Sequence, residues 1–210
     1  MKTNVHEFGT GSRRERSCQT PTAASDRRTG QRLRTVYRVA RVFALGDQGL
    51  ARVHNISDGG VSLSVSLDVY LGDRMRVDLS DRYSMSGQVA WHHAGRCGVQ
   101  FDKPIDSAVV LKKLFEDQRA AVSRPMRLVH NKALVIATPF GSQLASLRDV
   151  SQGGMKVAHD GRFTPGLPVK VRLKPDVERR GVIRWSENGL AGITLTEALS
   201  VEDLGSLRAL

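Results

Sequence analysis

The sequence predicts a mainly β chain of two small antiparallel β-barrels in tandem, each followed by a C-terminal α-helix. Three observations lead there. Apolar residues alternate with polar ones at a period of two. Glycine-containing turns such as Asp58-Gly59-Gly60 break up the alternating runs and are expected to supply the positive φ that tight hairpins need. The landmarks of the first half also recur in the second at one fixed displacement.

That displacement is 94 residues. It relates Asn55 to Asp149, Gly60 to Gly154, Gly72 to Gly166, Gly87 to Gly181, Trp91 to Trp185 and Gly98 to Gly192, with no gap. One shared glycine would be chance, but six landmarks in register are a duplication. The chain therefore divides into an arm over residues 1–25, a first domain over 26–118 and a second over 119–210. With 210 residues, 40% of them apolar and only 5% aromatic, it can bury ordinary cores and suits small β domains better than a large helical one.

Residues 1–25 are rich in Ser, Thr, Gly and Arg without periodicity, and are expected to be a disordered basic arm. Two copies of one fold must bury the same positions, and these define the strands. Ile56/Val150, Val61/Met155 and Leu63/Val157 alternate with polar neighbours. Met75/Val169, Val77/Val171 and Leu79/Leu173 continue the pattern, as do Val89/Ile183 with the two tryptophans, and Val99/Ile193 with Phe101/Leu195. Closing such short strands into a barrel removes exposed edges. Asp106 or Ser107 can cap a helix whose Val110, Leu111, Leu114 and Phe115 share a face. Ser200 with Asp203 resembles a capping box before Leu204, Leu207 and Leu210. Both helices are expected to plug or link the barrels.

Net charge is +11 and unevenly spread. Residues 1–34 hold eight basic and three acidic side chains, 35–118 hold ten of each, and 119–210 hold fourteen basic and eight acidic. A neutral middle between basic flanks suits a phosphorylated ligand, nucleic acid or an acidic surface. No stretch has the length of a signal peptide's apolar core or of a membrane span, so a cytoplasmic protein is expected. Cys18 and Cys97 form neither a metal spacing nor a disulfide framework. His92 and His93 are neighbours on a strand and point to opposite faces. With no zinc spacing, no nucleophile elbow and no phosphate loop, the sequence offers no catalytic constellation, no metal site and no bound cofactor.

Two clusters carry chemistry. Arg27, Arg28 and Arg32 precede the first strand, and their planar donor forks suit phosphate oxygens and the O6/N7 edge of guanine. Asn55 and Ser57 face outward from a strand whose Ile56 faces inward, offering a short donor-acceptor surface. Gly60 is expected to leave room for a flat ligand. Taken alone, each half has a plainer reading, as a solvated basic run and as a hairpin turn. Their order and their place on an independently inferred barrel favour the pair.

Arg-Arg-x-x-x-Arg followed by Asp/Asn-x-Ser-x-x-Gly resembles the PilZ domains, bacterial receptors for cyclic di-GMP built on six-stranded barrels. The resemblance spans both repeats, from about residue 26 to 210. It implies that Arg27, Arg28 and Arg32 hold phosphates and guanine Hoogsteen edges, that Asn55, Ser57 and Gly60 meet the guanine lying on the barrel, and that a protein partner reads the result in motility or exopolysaccharide control. In the second copy the arginine positions become Ala121, Val122 and Met126, while Asp149, Ser151 and Gly154 remain. This domain is expected not to bind cyclic di-GMP alone. Two alternatives stay open: a small-barrel nucleic-acid binder, weakened by the lack of stacking aromatics, and an adaptor that ignores the ligand.

Overall fold

The computed structural model describes residues 38–119 and 125–210. Residues 38–119 form strands β1 (Arg38–Ala44), β2 (Asp47–Ser57), β3 (Gly60–Ser64), β4 (Arg74–Asp78), β5 (Ser84–His93) and β6 (Arg96–Phe101), then helix α1 (Ser107–Arg119). The second unit contributes β7 (Leu128–Thr138), β8 (Gly141–Ser151), β9 (Gly154–Ala158), β10 (Pro168–Lys174), β11 (Val177–Glu187) and β12 (Leu190–Leu195). Each set of six closes into an antiparallel barrel, in the order β1-β2-β3-β6-β5-β4 and the equivalent order in the second. The closing pairs obey the repeat: Val42 pairs with Val77 as Ile136 pairs with Val171.

Inward-facing residues fill each barrel as the period-two pattern requires. Val42, Val53, Leu63, Met75, Val77 and Val99 are buried in the first, and Ile136, Leu147, Val157, Val171 and Ile193 in the second. The Cys97 thiol lies within the first core, where burial pushes its pKa up to about 11, so it stays protonated and inert. Cys18 lies outside the described residues. Among those residues, no helix is long and apolar enough to cross a membrane.

The tryptophans break the expected alternation. Val89 pairs with Val99 but Trp91 with Gly98, so Ala90 is an extra residue, a β-bulge that rotates the strand. Trp91 is consequently turned outward, 44% exposed, instead of following Val89 into the core. Arg184 plays the same part before Trp185 in the second barrel. Each ring lies flat over a glycine: a Cβ at Gly98 or Gly192 would sit 2.0 Å from the indole nitrogen. The shared Trp and Gly landmarks are thus one packing device on the outer wall.

Asp58-Gly59-Gly60 also departs from expectation, since neither glycine has positive φ. The turn is held from outside: the Asp58 carboxylate accepts from the Ser107 amide and hydroxyl, and the Phe101 amide donates to the Gly59 carbonyl. Gly60 serves close packing, because its Cβ would meet the Val99 carbonyl oxygen at 2.5 Å.

Helix α1 begins as anticipated, with Asp106 Oδ1 accepting from the Val109 amide. Leu114 plugs the first barrel, and Val110 and Leu111 pack beside it. Phe115 does not join that face; it is exposed, with the Arg119 guanidinium 5.7 Å from its ring centroid.

The second helix does not form, and α1 is the only helix among the described residues. The capping box is present, because Ser200 and Asp203 exchange two hydrogen bonds, yet residues 201–210 continue only as turns and bends. The cause is a competing set of backbone partners. The Leu50 amide donates to the Leu204 carbonyl and the Leu207 amide to the Gln48 carbonyl, spending on β2 the groups a helix would pair internally. Gly205 lies against Gly49 so closely that a Cβ on Gly49 would stand 1.9 Å from the Gly205 oxygen. Leu204, Leu207 and Leu210 are nonetheless buried, closing the second barrel where α1 closes the first. Leu50 of the first barrel belongs to this second core. Asp47 adds bonds to the Ser206 hydroxyl and the Arg208 amide, and Arg52 pairs with Glu202.

Two outcomes follow from this junction. Gly49→Ala should lower urea-unfolding stability by about 1–3 kcal/mol through forced overpacking, whereas Gly59→Ala, with nothing within 4 Å of its Cβ, should stay within about 0.5 kcal/mol of wild type. Hydrogen bonding from Arg52 is the main cause holding the Glu202 carboxyl down at about 2 from the usual 4.5. A carboxyl with a depressed folded pKa contributes stability that is complete above its unfolded value and lost as pH falls toward the folded one. The difference in urea midpoint between wild type and Glu202→Gln should therefore be constant above about pH 4.5 and shrink toward pH 2.

Candidate functional site

The outward placement of Asn55 depends on a second bulge. Val53 pairs with Leu63 but Asn55 with Ser62, so His54 is the extra residue; Val53 and Ile56 both face the core, while Asn55 and Ser57 are turned out. Without it, strict alternation from Val53 would point Asn55 and Ser57 into the barrel. The bulges at His54 and Ala90 thus bring Asn55 and Trp91 to one outer wall. There they border an open cavity of about 640 Å³, which Gly60, Gly98, His93 and Arg96 also line.

Asn55 Oδ1 is buried and finds no hydrogen-bond donor among the described residues. An unpaired buried acceptor costs about 1–3 kcal/mol, which a ligand donor entering the cavity would recover. The Ser57 hydroxyl donates to the Gly60 carbonyl at 3.3 Å, so it steadies the turn and keeps its own lone pairs for an incoming donor. Gly60 is required by packing on Val99, so the room it leaves for a ligand is a by-product. His54 hydrogen-bonds Ser64 behind the wall; burial first, then the charges of Arg96 and Arg52, hold it below the usual histidine range. Arg96 is the guanidinium that the described residues bring to the cavity.

Asn55, Ser57 and Gly60 line this cavity together. Arg27, Arg28 and Arg32 lie outside the described residues. Trp91, His93 and Arg96 also line the cavity, although the sequence motif does not include them. The tryptophan's recurrence with Gly98 was a signal for it, whereas His93 and Arg96 reach the site only because β5 and β6 pair across their hairpin.

The second barrel has the equivalent cavity, about 450 Å³, lined by Asp149, Lys156, Trp185 and Gly192. Its chemistry is different. Asp149 replaces Asn55 and is ion-paired to Arg127 and to Lys156, the latter at 3.1 Å and standing where the first barrel has Ser62. The carboxylate is thereby satisfied from within the protein. Ser151 repeats the turn bond of Ser57, donating to the Gly154 carbonyl at 3.1 Å. The Arg127 carbonyl in turn accepts from Arg41 of the first barrel at 2.9 Å. Among the described residues, no cluster of three metal-ligating side chains occurs.

Several solved structures are similar to this chain at low identity. The Borreliella burgdorferi PlzA protein in complex with c-di-GMP is 12% identical, with a TM-score of 0.37, over 80% of this chain and 85% of that one. The Bacillus subtilis inhibitor of motility MotI/DgrA is 10% identical, with a TM-score of 0.30, over 79% and 89%. YcgR from Escherichia coli in complex with c-di-GMP is 10% identical, with a TM-score of 0.27, over 78% and 77%. No curated protein matches. The PilZ domain model matches twice, over residues 26–118 and 116–210. The chain belongs to the PilZ domain family, of which it carries two copies in tandem.

Proposed function

We propose that this protein is a non-catalytic cyclic di-GMP receptor whose ligand binds the first domain, residues 26–118, between Arg27, Arg28 and Arg32 and the barrel wall that carries Asn55, Ser57 and Gly60. The observation that carries this reading is the buried Asn55 Oδ1, without a donor among the described residues, on a cavity that Arg96 also lines. A guanine edge supplies the missing donor, and the arginine forks supply the two phosphates and the Hoogsteen edge. Residues 119–210 act as a companion domain that does not take the ligand, since Arg127 and Lys156 already occupy Asp149. Ligand gathers the arginine segment onto the first barrel and changes the surface offered to a protein partner, with motility or exopolysaccharide control as the family's kind of output.

Isothermal titration with cyclic di-GMP, and GTP as control, tests the assignment. Arg28→Ala should weaken binding by tenfold to over a hundredfold, as expected for losing a charge-assisted contact of about 1.5–3 kcal/mol. Asn55→Ala should weaken it by about tenfold, and Asp149→Ala should leave it unchanged. An unaffected Arg28→Ala variant, or a wild type that does not bind, would remove the assignment. Amide exchange over residues 20–35 should slow when ligand is added, and unchanged exchange there would rule out the gathering of the arginine segment.

A further inference from the structure

The outer face of the second barrel carries an exposed apolar patch that its core does not use. Val135 on β7 and Leu144 on β8 are cross-strand partners, both pointing outward and 57% and 71% exposed. Phe140, at the tip of the hairpin joining them, is 86% exposed. Isolated exposed apolar residues are ordinary, but an exposed cross-strand pair on a hairpin whose tip is an exposed phenylalanine marks a contact surface.

The adjoining strands make the patch amphipathic. Lys170 on β10 pairs with Ala137 on β7, which sets Arg172, two residues on, alongside Val135. Lys170 also pairs with Arg180 on β11. Strands lie about 4.8 Å apart, so Lys170 and Arg172 stand one strand from Val135 and two from Leu144, with Arg180 one strand further round the barrel. The only acid among them is Glu178, shared by Lys170 and Arg172. The face thus presents an apolar tip and edge flanked by a cationic field.

We propose that this face, formed by β7, β8 and β10 with the Phe140 hairpin tip, docks on an anionic lipid bilayer surface. Phe140, Leu144 and Val135 enter the headgroup boundary, while Lys170, Arg172 and Arg180 lay their aliphatic stems along it and direct their charges to the lipid phosphates. A protein partner fits less well, because protein interfaces deplete lysine at their core. A nucleic acid has no use for Val135 and Leu144, and would find one aromatic at a hairpin tip instead of a stacking platform. The proposal does not depend on the cyclic di-GMP assignment, since none of these residues borders the Asn55 cavity.

Cosedimentation of the full chain with vesicles of phosphatidylcholine alone, or mixed with phosphatidylglycerol, tests it. Binding is expected only to the mixed vesicles. Phe140→Ser should weaken it by at least about tenfold, from the lost burial of one aromatic side chain, and Lys170→Gln with Arg180→Gln by about fivefold for each cation. Leu71→Ser, which removes an equally exposed leucine from the first barrel, should change nothing. No binding, equal binding to both vesicles, binding that survives these substitutions or an equal loss in Leu71→Ser would overturn the proposal. So would retention of a duplex oligonucleotide, but not of vesicles, through the same side chains.

Discussion

Strand β2 is shared by both halves of the molecule, and the backbone approach of Gly49 to Gly205 is what permits the sharing. Along its length the strand forms first-barrel wall, lends Leu50 to the second core, hydrogen-bonds the C-terminal segment through Gln48 and Leu50, and ends in Asn55 and Ser57 at the cavity. A side chain at Gly49 would hold the two backbones apart and break those bonds, whereas one at Gly205 would meet the Ser66 side chain. The plug of the second barrel is therefore seated on the same strand that displays the candidate ligand groups.

Duplication gave two barrels the same wall, and their divergence is local. Both retain the paired bulges, the tryptophan laid on glycine and the serine bond that closes the turn. They differ in what faces the cavity. The first leaves Asn55 Oδ1 without a donor among the described residues, while the second pairs Asp149 with Arg127 and Lys156. A carboxylate held by two cations is satisfied from within the protein. The arginine segment and the barrel wall thus changed together in the second copy.

The two ends of the fold were differently legible. The capping box at Ser200 and Asp203 was read correctly as a local feature, yet the helix it announced does not follow. Capping is decided within four residues, whereas continuation depends on where later amides and carbonyls find partners, and here these lie about 150 residues away on β2. The tryptophans teach the same lesson in a strand. Counting by two from Val89 sends Trp91 inward, and one extra residue, set by pairing with β6, sends it out. Asn55 was placed correctly because its orientation was counted from Ile56, on the same side of the bulge.

By itself the sequence determined the duplication, the two antiparallel barrels, their cores and the outward placement of Asn55 and Ser57. These depend on short-range periodicity and on residue type, which a linear chain displays openly. Tertiary structure alone decided the outward tryptophans, the reason for Gly60, the companionship of His93 and Arg96, the self-paired Asp149 and the folding of the last ten residues onto the other barrel. Each of these is settled by which distant backbone or charge arrives within bonding distance, and closing a barrel in space fixes that where local spacing cannot.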